Sequence, residues 1–205
     1  MKNKRRSFLK KSAILGTGFF IVPRNVLGGT GFISPSDQLN IAAIGCGGKG
    51  YDITHDWASK ERVIALCDVH SDGSHGVTNS RKKYPNANFY VDYREMLDKE
   101  TDLDAVTIST PDHTHGVIAS NAMKRGLHVY VQKPLTQNIQ EARFLTKIAA
   151  KNKVITQMGN QGGSSKGVVK IQEWVDKKMI GKIHKIYAWT NRPVWPQGFD
   201  MIDSE

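Results

Sequence analysis

The run Leu39–Ile44 entering Gly45-Cys46-Gly47-Gly48-Lys49-Gly50 constrains this chain more than any other stretch. A short apolar segment that meets glycines at the spacing G-x-G-x-x-G, with a helical stretch beyond, is the pattern of a buried parallel strand turning into a helix. Gly45 allows the tight turn, and Gly50 lets the helix pack close against the strand. A second apolar run, Arg62–Cys67 (RVIALC), ends at Asp68, 18 residues beyond Gly50.

The alternation continues along the chain. A polar helical stretch is expected to about Tyr84, a short strand over Asn88–Val91, and one or two helical turns over Asp92–Asp98. Leu103–Ser109 reads as a fourth strand and His115–Arg125 as a helix that Gly126 stops. His128–Val131, a helix over Ile139–Asn152, and Val154–Gln157 complete the series. Strands alternating with helices at this pitch imply βαβ units, so the expected class is α/β, a Rossmann-type doubly wound parallel sheet. After Gly159 the character changes. Gly167–Met179 is an amphipathic helix with Val168, Ile171, Val175 and Met179 on one face. Ile180-Gly181-Lys182 turns it into His184–Thr190, which alternates like a strand with one covered face. Residues 161–205 therefore read as the beginning of a second, α+β domain that stops short, following a dinucleotide-binding domain over 39–160.

The chemistry follows from the glycine turn. Gly47 and Gly48 let the backbone approach a pyrophosphate, and the helix start offers unpaired N–H groups and a partial positive charge to it. Asp68, closing the next strand, can accept hydrogen bonds from both hydroxyls of an adenosine ribose. It would repel a 2′-phosphate, so the expected cofactor is NAD rather than NADP.

Charge excludes another class of partner. The formal net charge is +10, but seven lysines and arginines precede Asp37 with no acid among them, leaving +3 over residues 37–205. A nucleic-acid binder carries a clustered basic face, and the body shows none. The basic residues belong to a leader instead. Arg5-Arg6-Ser7-Phe8-Leu9-Lys10 precedes an uncharged apolar stretch of 11 residues, Ser12–Val22. That is the length of a signal core, too short to cross a bilayer. Residues 1–30 thus resemble the twin-arginine (Tat) export signal of bacteria, with 31–38 a linker, and imply the Tat machinery as partner and the periplasm as destination. Cys46 and Cys67 stand in or beside buried strands as small hydrophobes and suggest no disulfide framework.

Two further segments lie at the carboxyl ends of strands, where a doubly wound sheet forms its ligand crevice. Thr110-Pro111-Asp112-His113-Thr114-His115 follows the fourth strand and should line the cofactor. A metal set from Asp112, His113 and His115 lacks a further ligand at supporting spacing, and no metal is expected. Gln132-Lys133-Pro134 follows the fifth strand. An amine there points into the same crevice, where it can pass a proton to or from a reacting hydroxyl.

Val129-Tyr130-Val131-Gln132-Lys133-Pro134-Leu135-Thr136 resembles the E-K-P segment of the Gfo/Idh/MocA family of NAD(P)-dependent oxidoreductases. The glycine turn, the T-P-x-x-x-H loop at Thr110–His115 and the Ile180-Gly181-Lys182-Ile183 turn match in the same order, over roughly residues 39–195. The resemblance implies that Lys133 is the active-site lysine, contacting the substrate hydroxyl and the nicotinamide ribose, and that Gly45, Gly47 and Gly50 hold pyrophosphate and Asp68 the adenosine ribose. The resemblance further implies that Thr110, Pro111 and His115 lie along the cofactor and that Gln132 belongs with the cofactor-binding residues. It also implies a small carbohydrate substrate and association into a homo-oligomer when full length. Gln132 departs from the family's glutamate, so no carboxylate stands beside Lys133, though an amide still hydrogen-bonds. The family's downstream Asp and His fall in the second domain. The expected reaction is hydride transfer between a nicotinamide cofactor and a sugar, polyol or glycoside. A redox-neutral, NAD-dependent glycosidase and a non-catalytic dinucleotide or sugar binder are the rivals.

Overall fold

The computed structural model describes residues 33–58 and 60–189. The expected export signal and Thr190, the last residue of the expected final strand, lie outside the described residues. The chain divides between Gly159 and Asn160 into two compact units. The first alternates strand and helix: β1 Asn40–Ile44, α1 Gly48–Trp57, β2 Arg62–Cys67, α2 Val77–Lys83, β3 Asn88–Tyr90, α3 Tyr93–Lys99, β4 Ala105–Ile108, α4 His115–Lys124, β5 His128–Gln132, α5 Ile139–Asn152 and β6 Thr156–Gly159. The six strands form one sheet in the order β3-β2-β1-β4-β5-β6, and every neighbouring pair is parallel. This is the α/β architecture expected from the alternation. The order reverses between β1 and β4, which opens a crevice at their carboxyl ends.

Alternation along the central strands explains why both sheet faces are dry. Side chains point to opposite faces in turn. Ala42 and Ile44 of β1 and Ala65 and Cys67 of β2 join one core with Met96, Ile118 and Leu145. Ala43, Cys46 and Leu66 join a second with Val77. Strands covered on both sides read as continuous apolar runs, as NIAAI does.

Beyond shifts of a residue or two at strand and helix ends, the larger differences from the sequence expectation have local causes. Helix α1 begins at Gly48, because the glycines themselves form its first turn, with Gly50 N–H donating to Gly47 O. The polar stretch before Tyr84 is interrupted: Gly73 and Gly76 take φ of 84° and 87° around a 3-10 turn, and α2 starts only at Val77. β6 lies at Thr156–Gly159 rather than 154–157. Lys153 adopts φ 55° and Val154 N–H donates back to Ala149 O, so these residues close α5 instead of opening a strand. In the second unit the helix α6 spans Lys166–Asp176. Among the described residues 184–189 no strand forms, since nothing there pairs with them.

Cys46 and Cys67 are buried and unpaired. Burial pushes both thiols up from an ordinary value near 9 to about 12, helped by the Asp68 charge beside Cys46 and by Cys46 and Asp68 beside Cys67. Above pH 9 the unfolded chain gives up thiol protons that the folded chain keeps, so this contribution to stability is complete below about 9 and disappears as pH rises toward 12. At pH 8 the folded thiols should react with iodoacetamide roughly a thousandfold more slowly than an exposed cysteine, because only the thiolate reacts. Comparing native and urea-unfolded alkylation rates checks it.

Candidate dinucleotide site

The site is built where β1 ends. Gly45 N–H donates to Cys67 O and Ser109 N–H to Ile44 O, both at 2.8 Å, so the turn is pinned between the ends of β2 and β4. Gly45 has φ 76°, and a Cβ there would stand 2.7 Å from the Ser109 carbonyl carbon and oxygen. A Cβ on Gly50 would fall 1.7 Å from Gly45 O. These two positions admit only glycine. Gly47 caps α1, whose first turn contains no acidic residue. The leading N–H groups of a helix have no partner within it, and its dipole is positive there, so the turn offers donors and partial positive charge to an anion.

Asp68 follows β2. Its Oδ2 accepts from Gly47 N–H and its Oδ1 from His70 N–H, each at 3.1 Å. The carboxylate is thus held rigidly beside the glycine turn. Each of its oxygens keeps a lone pair free of these backbone bonds, which suits the two vicinal hydroxyls of a ribose. A cleft of about 1000 Å³ opens in front, lined by Gly45, Gly47, Gly48, Asp68, Thr110 and Pro111. Val69, Val91, Tyr93, His70 and His75 also form its wall. The donors, the anchored carboxylate and the mixed apolar and aromatic lining fit an adenine dinucleotide.

The sequence missed part of this wall. His70 and His75 face each other with ring centroids 4.2 Å apart, and Ser74 Oγ lies 2.9 Å from His70 Nδ1. His75 O comes so close to Gly47 that a Cβ there would stand 2.6 Å from it. The only signal was the pair Gly73 and Gly76, which permits the fold-back. Ser109 was also overlooked: its Oγ is buried at the cleft wall without a partner among the described residues.

Other expected site residues are placed differently. His113 and Thr114 line the cleft, but His115 does not. Its ring is 1% exposed, with Nε2 2.8 Å from Thr110 O and Nδ1 2.6 Å from Pro134 O. His115 was expected along the cofactor; as the first residue of α4 its ring turns inward, under the loop, between Thr110 O and Pro134 O. Gln132 is 5% exposed and its Nε2 has no partner among the described residues. It points at Gly159, where a Cβ would stand 2.5 Å from Nε2, and so packs between strands instead of entering the cleft. Lys133 emerges exposed at the end of β5, next to the end of β4, and forms a cis peptide with Pro134. It lies outside the lining of the adenosine-side cleft.

Residues 39–160 match the model of an oxidoreductase family with the NAD-binding Rossmann fold, Gfo/Idh/MocA. The chain belongs to this family. Among solved structures, this Gfo/Idh/MocA chain is similar to myo-inositol 2-dehydrogenase of Lactobacillus plantarum (TM-score 0.63, 25% identity, 71% of this chain and 43% of that one). It also shares its fold with scyllo-inositol dehydrogenase of Lactobacillus casei, solved with NAD(H) and scyllo-inositol (TM-score 0.61, 20% identity, 70% and 42%). Among curated proteins it is 31% identical over 153 residues to a glycosyl hydrolase family 109 protein of Solibacter usitatus, covering 68% of this chain and 35% of that protein. An alpha-N-acetylgalactosaminidase of Shewanella oneidensis is 30% identical over 120 residues, covering 54% and 26%. The Gfo/Idh/MocA chain thus spans about a third of the length of such relatives.

Proposed function

We propose that the full-length protein transfers hydride between a tightly held NAD and a sugar, polyol or glycoside. The observation that carries this reading is the glycine cradle at the end of β1 with the Asp68 carboxylate locked beside it, on the same sheet rim as exposed Lys133 two strands along, at the end of β5. Gly45, Gly47, Gly48 and Gly50 would hold the pyrophosphate, Asp68 the adenosine ribose, and Thr110 and Pro111 the crevice wall. When bound, the nicotinamide supplies the hydride donor or acceptor. Lys133 takes the proton from the reacting hydroxyl on oxidation and returns it on reduction. Gln132, buried behind it, holds the strand end by packing and carries no charge to the site.

The glycosyl hydrolase family 109 and alpha-N-acetylgalactosaminidase relatives favour a second reading, in which the hydride leaves and returns within one glycoside-cleaving cycle. The two readings separate in one experiment on the full-length protein. Net appearance of reduced nicotinamide with free sugars or inositols supports the dehydrogenase. Release of nitrophenol from a nitrophenyl glycoside without net reduction supports the glycosidase. In either case Lys133→Ala should lower turnover by about 10²–10⁴-fold, the usual worth of a positioned acid–base group. Its NAD affinity should change little, because the cradle is remote from the side chain. Unchanged turnover in that variant would favour a non-catalytic binder.

We further infer that the twin-arginine leader exports the protein already folded around its cofactor, since free NAD is scarce outside the cytoplasm. Protein purified from the periplasm should release NAD on denaturation. A cofactor-free preparation that needs added NAD counts against this.

A further inference from the structure

We propose that His115 is a positioning residue that sets Lys133 over the crevice by tying the loop after β4 to the turn after β5. This rests on the reading of Lys133 as the group that faces the nicotinamide. The need for such a tie is topological. β4 and β5 pair in parallel, and their register ends at Ile108↔Val131. Beyond that point the ladder no longer joins them, yet the crevice wall (Thr110, Pro111) and Lys133 both lie beyond it. The two segments could therefore drift apart unless something else held them.

His115 stands at that gap. Its Nε2 is 2.8 Å from Thr110 O and its Nδ1 2.6 Å from Pro134 O, one contact on each loop. Both partners are acceptors, so the two contacts are hydrogen bonds together only when each ring nitrogen carries a proton. The ring is almost fully buried, where a hydrogen bond to a carbonyl is costly to break. The next residue shows how closely the surrounding helices meet: a Cβ on Gly116 would stand 3.1 Å from Glu141 Oε2 and 3.6 Å from Thr136 Cγ2.

The turn carrying Lys133 is held from its far side as well. Gln137 N–H donates to Glu141 Oε2, Asn138 caps α5 by accepting from Glu141 N–H, and Thr136 Oγ1 donates to Asn138 O. Between these anchors the Lys133 side chain is exposed and makes no hydrogen bond or ion pair among the described residues. Its backbone is fixed and its amine is free, as a proton-transfer group requires.

A histidine that merely filled the core would, on replacement, lower stability without separating cofactor binding from the placement of Lys133. The test measures both in the full-length protein. NAD affinity is read by titration calorimetry. The placement of Lys133 is read as the rate of its acetylation by acetic anhydride, followed by peptide mass spectrometry, with and without NAD, using exposed Lys82 on α2 as reference. In the wild type, NAD at ten times its Kd should slow acetylation of Lys133 by about tenfold, as occupancy of a shielding ligand dictates. In His115→Phe, assayed at ten times its own Kd, that slowing should fall below about twofold, while the Kd moves by less than about threefold because the cradle lies apart from the ring. His115→Gln, which keeps one donor, should restore part of the protection, and it carries the test if His115→Phe does not fold. Full protection of Lys133 in a folded, NAD-binding variant overturns the proposal. Absence of NAD binding by the wild type is a different result and overturns the functional reading on which it rests.

Discussion

Replacing Gly50 by alanine is expected to lower the midpoint of thermal unfolding by roughly 10 °C and to abolish measurable retention of NAD. The added methyl would stand 1.7 Å from Gly45 O, a backbone atom that is itself pinned through Gly45 N–H to Cys67 O. No rotamer relieves such a clash. The helix must move away from the end of β1, which carries the leading N–H groups off the position where they converge on a phosphate. Overpacking against fixed backbone costs about 3 kcal/mol or more, and each kcal/mol is worth about 2–4 °C in a domain of this size. Gly162 supplies the control, since a Cβ there meets nothing within 4 Å. Calorimetric melting of Gly50→Ala and Gly162→Ala in the full-length protein decides it. A Gly50→Ala variant that melts with the wild type would mean that helix and strand do not approach this closely.

The second large effect belongs to Asp68. Its carboxylate is held by Gly47 N–H and His70 N–H and lines the cleft, so in the proposed role it would meet the ribose without reorganising. Hydrogen bonds to a charged group contribute about 1.5–3 kcal/mol each. Losing the acceptor in Asp68→Ala should weaken NAD binding by roughly 100-fold, about 3 kcal/mol. NADP should respond in the opposite sense relative to NAD, because the change also removes the negative charge that opposes a 2′-phosphate. The ratio of the two dissociation constants should therefore fall by more than tenfold. Titration calorimetry with both dinucleotides checks it. Equal weakening of NAD and NADP would assign Asp68 to holding the turn alone.

The fold was legible where local signals agreed with burial. RVIALC marks β2 to the residue because an apolar run ends at an aspartate. Helix α5 is bounded correctly because Asn138 and Glu141 form a reciprocal cap that short-range chemistry dictates. Val154 and Ile155 misled for a physical reason: β-branched residues favour a strand, but Lys153 had already spent them in leaving the helix. The expected strand at 184–189 depends on a partner that no local pattern supplies.

The site divides in the same way. Gly45, Gly50 and Asp68 were readable because spacing alone forces the turn and its neighbour into register. The direction of a side chain at the start of a helix is not written in spacing. Nothing within Thr110–His115 says that His113 faces the cleft while His115 turns beneath it. That choice is made by the carbonyl of Pro134, 19 residues along the chain. Gln132 is similar, since its packing depends on a glycine in β6. The fold-back of His70–Gly76 depends on the absence of a side chain at Gly47. In each case the missing information is a partner distant in sequence.

Because all six strands run the same way, every residue proposed to handle the dinucleotide or the proton emerges at one rim, while the returning connections 84–87, 100–104, 125–127 and 153–155 emerge at the other. The two rims are separated by the length of a strand. Chain length can therefore vary along the rear without disturbing chemistry at the front. An affinity handle or a fluorescent reporter grafted at the rear, near Gly126, would sit where a protein of this build tolerates cargo.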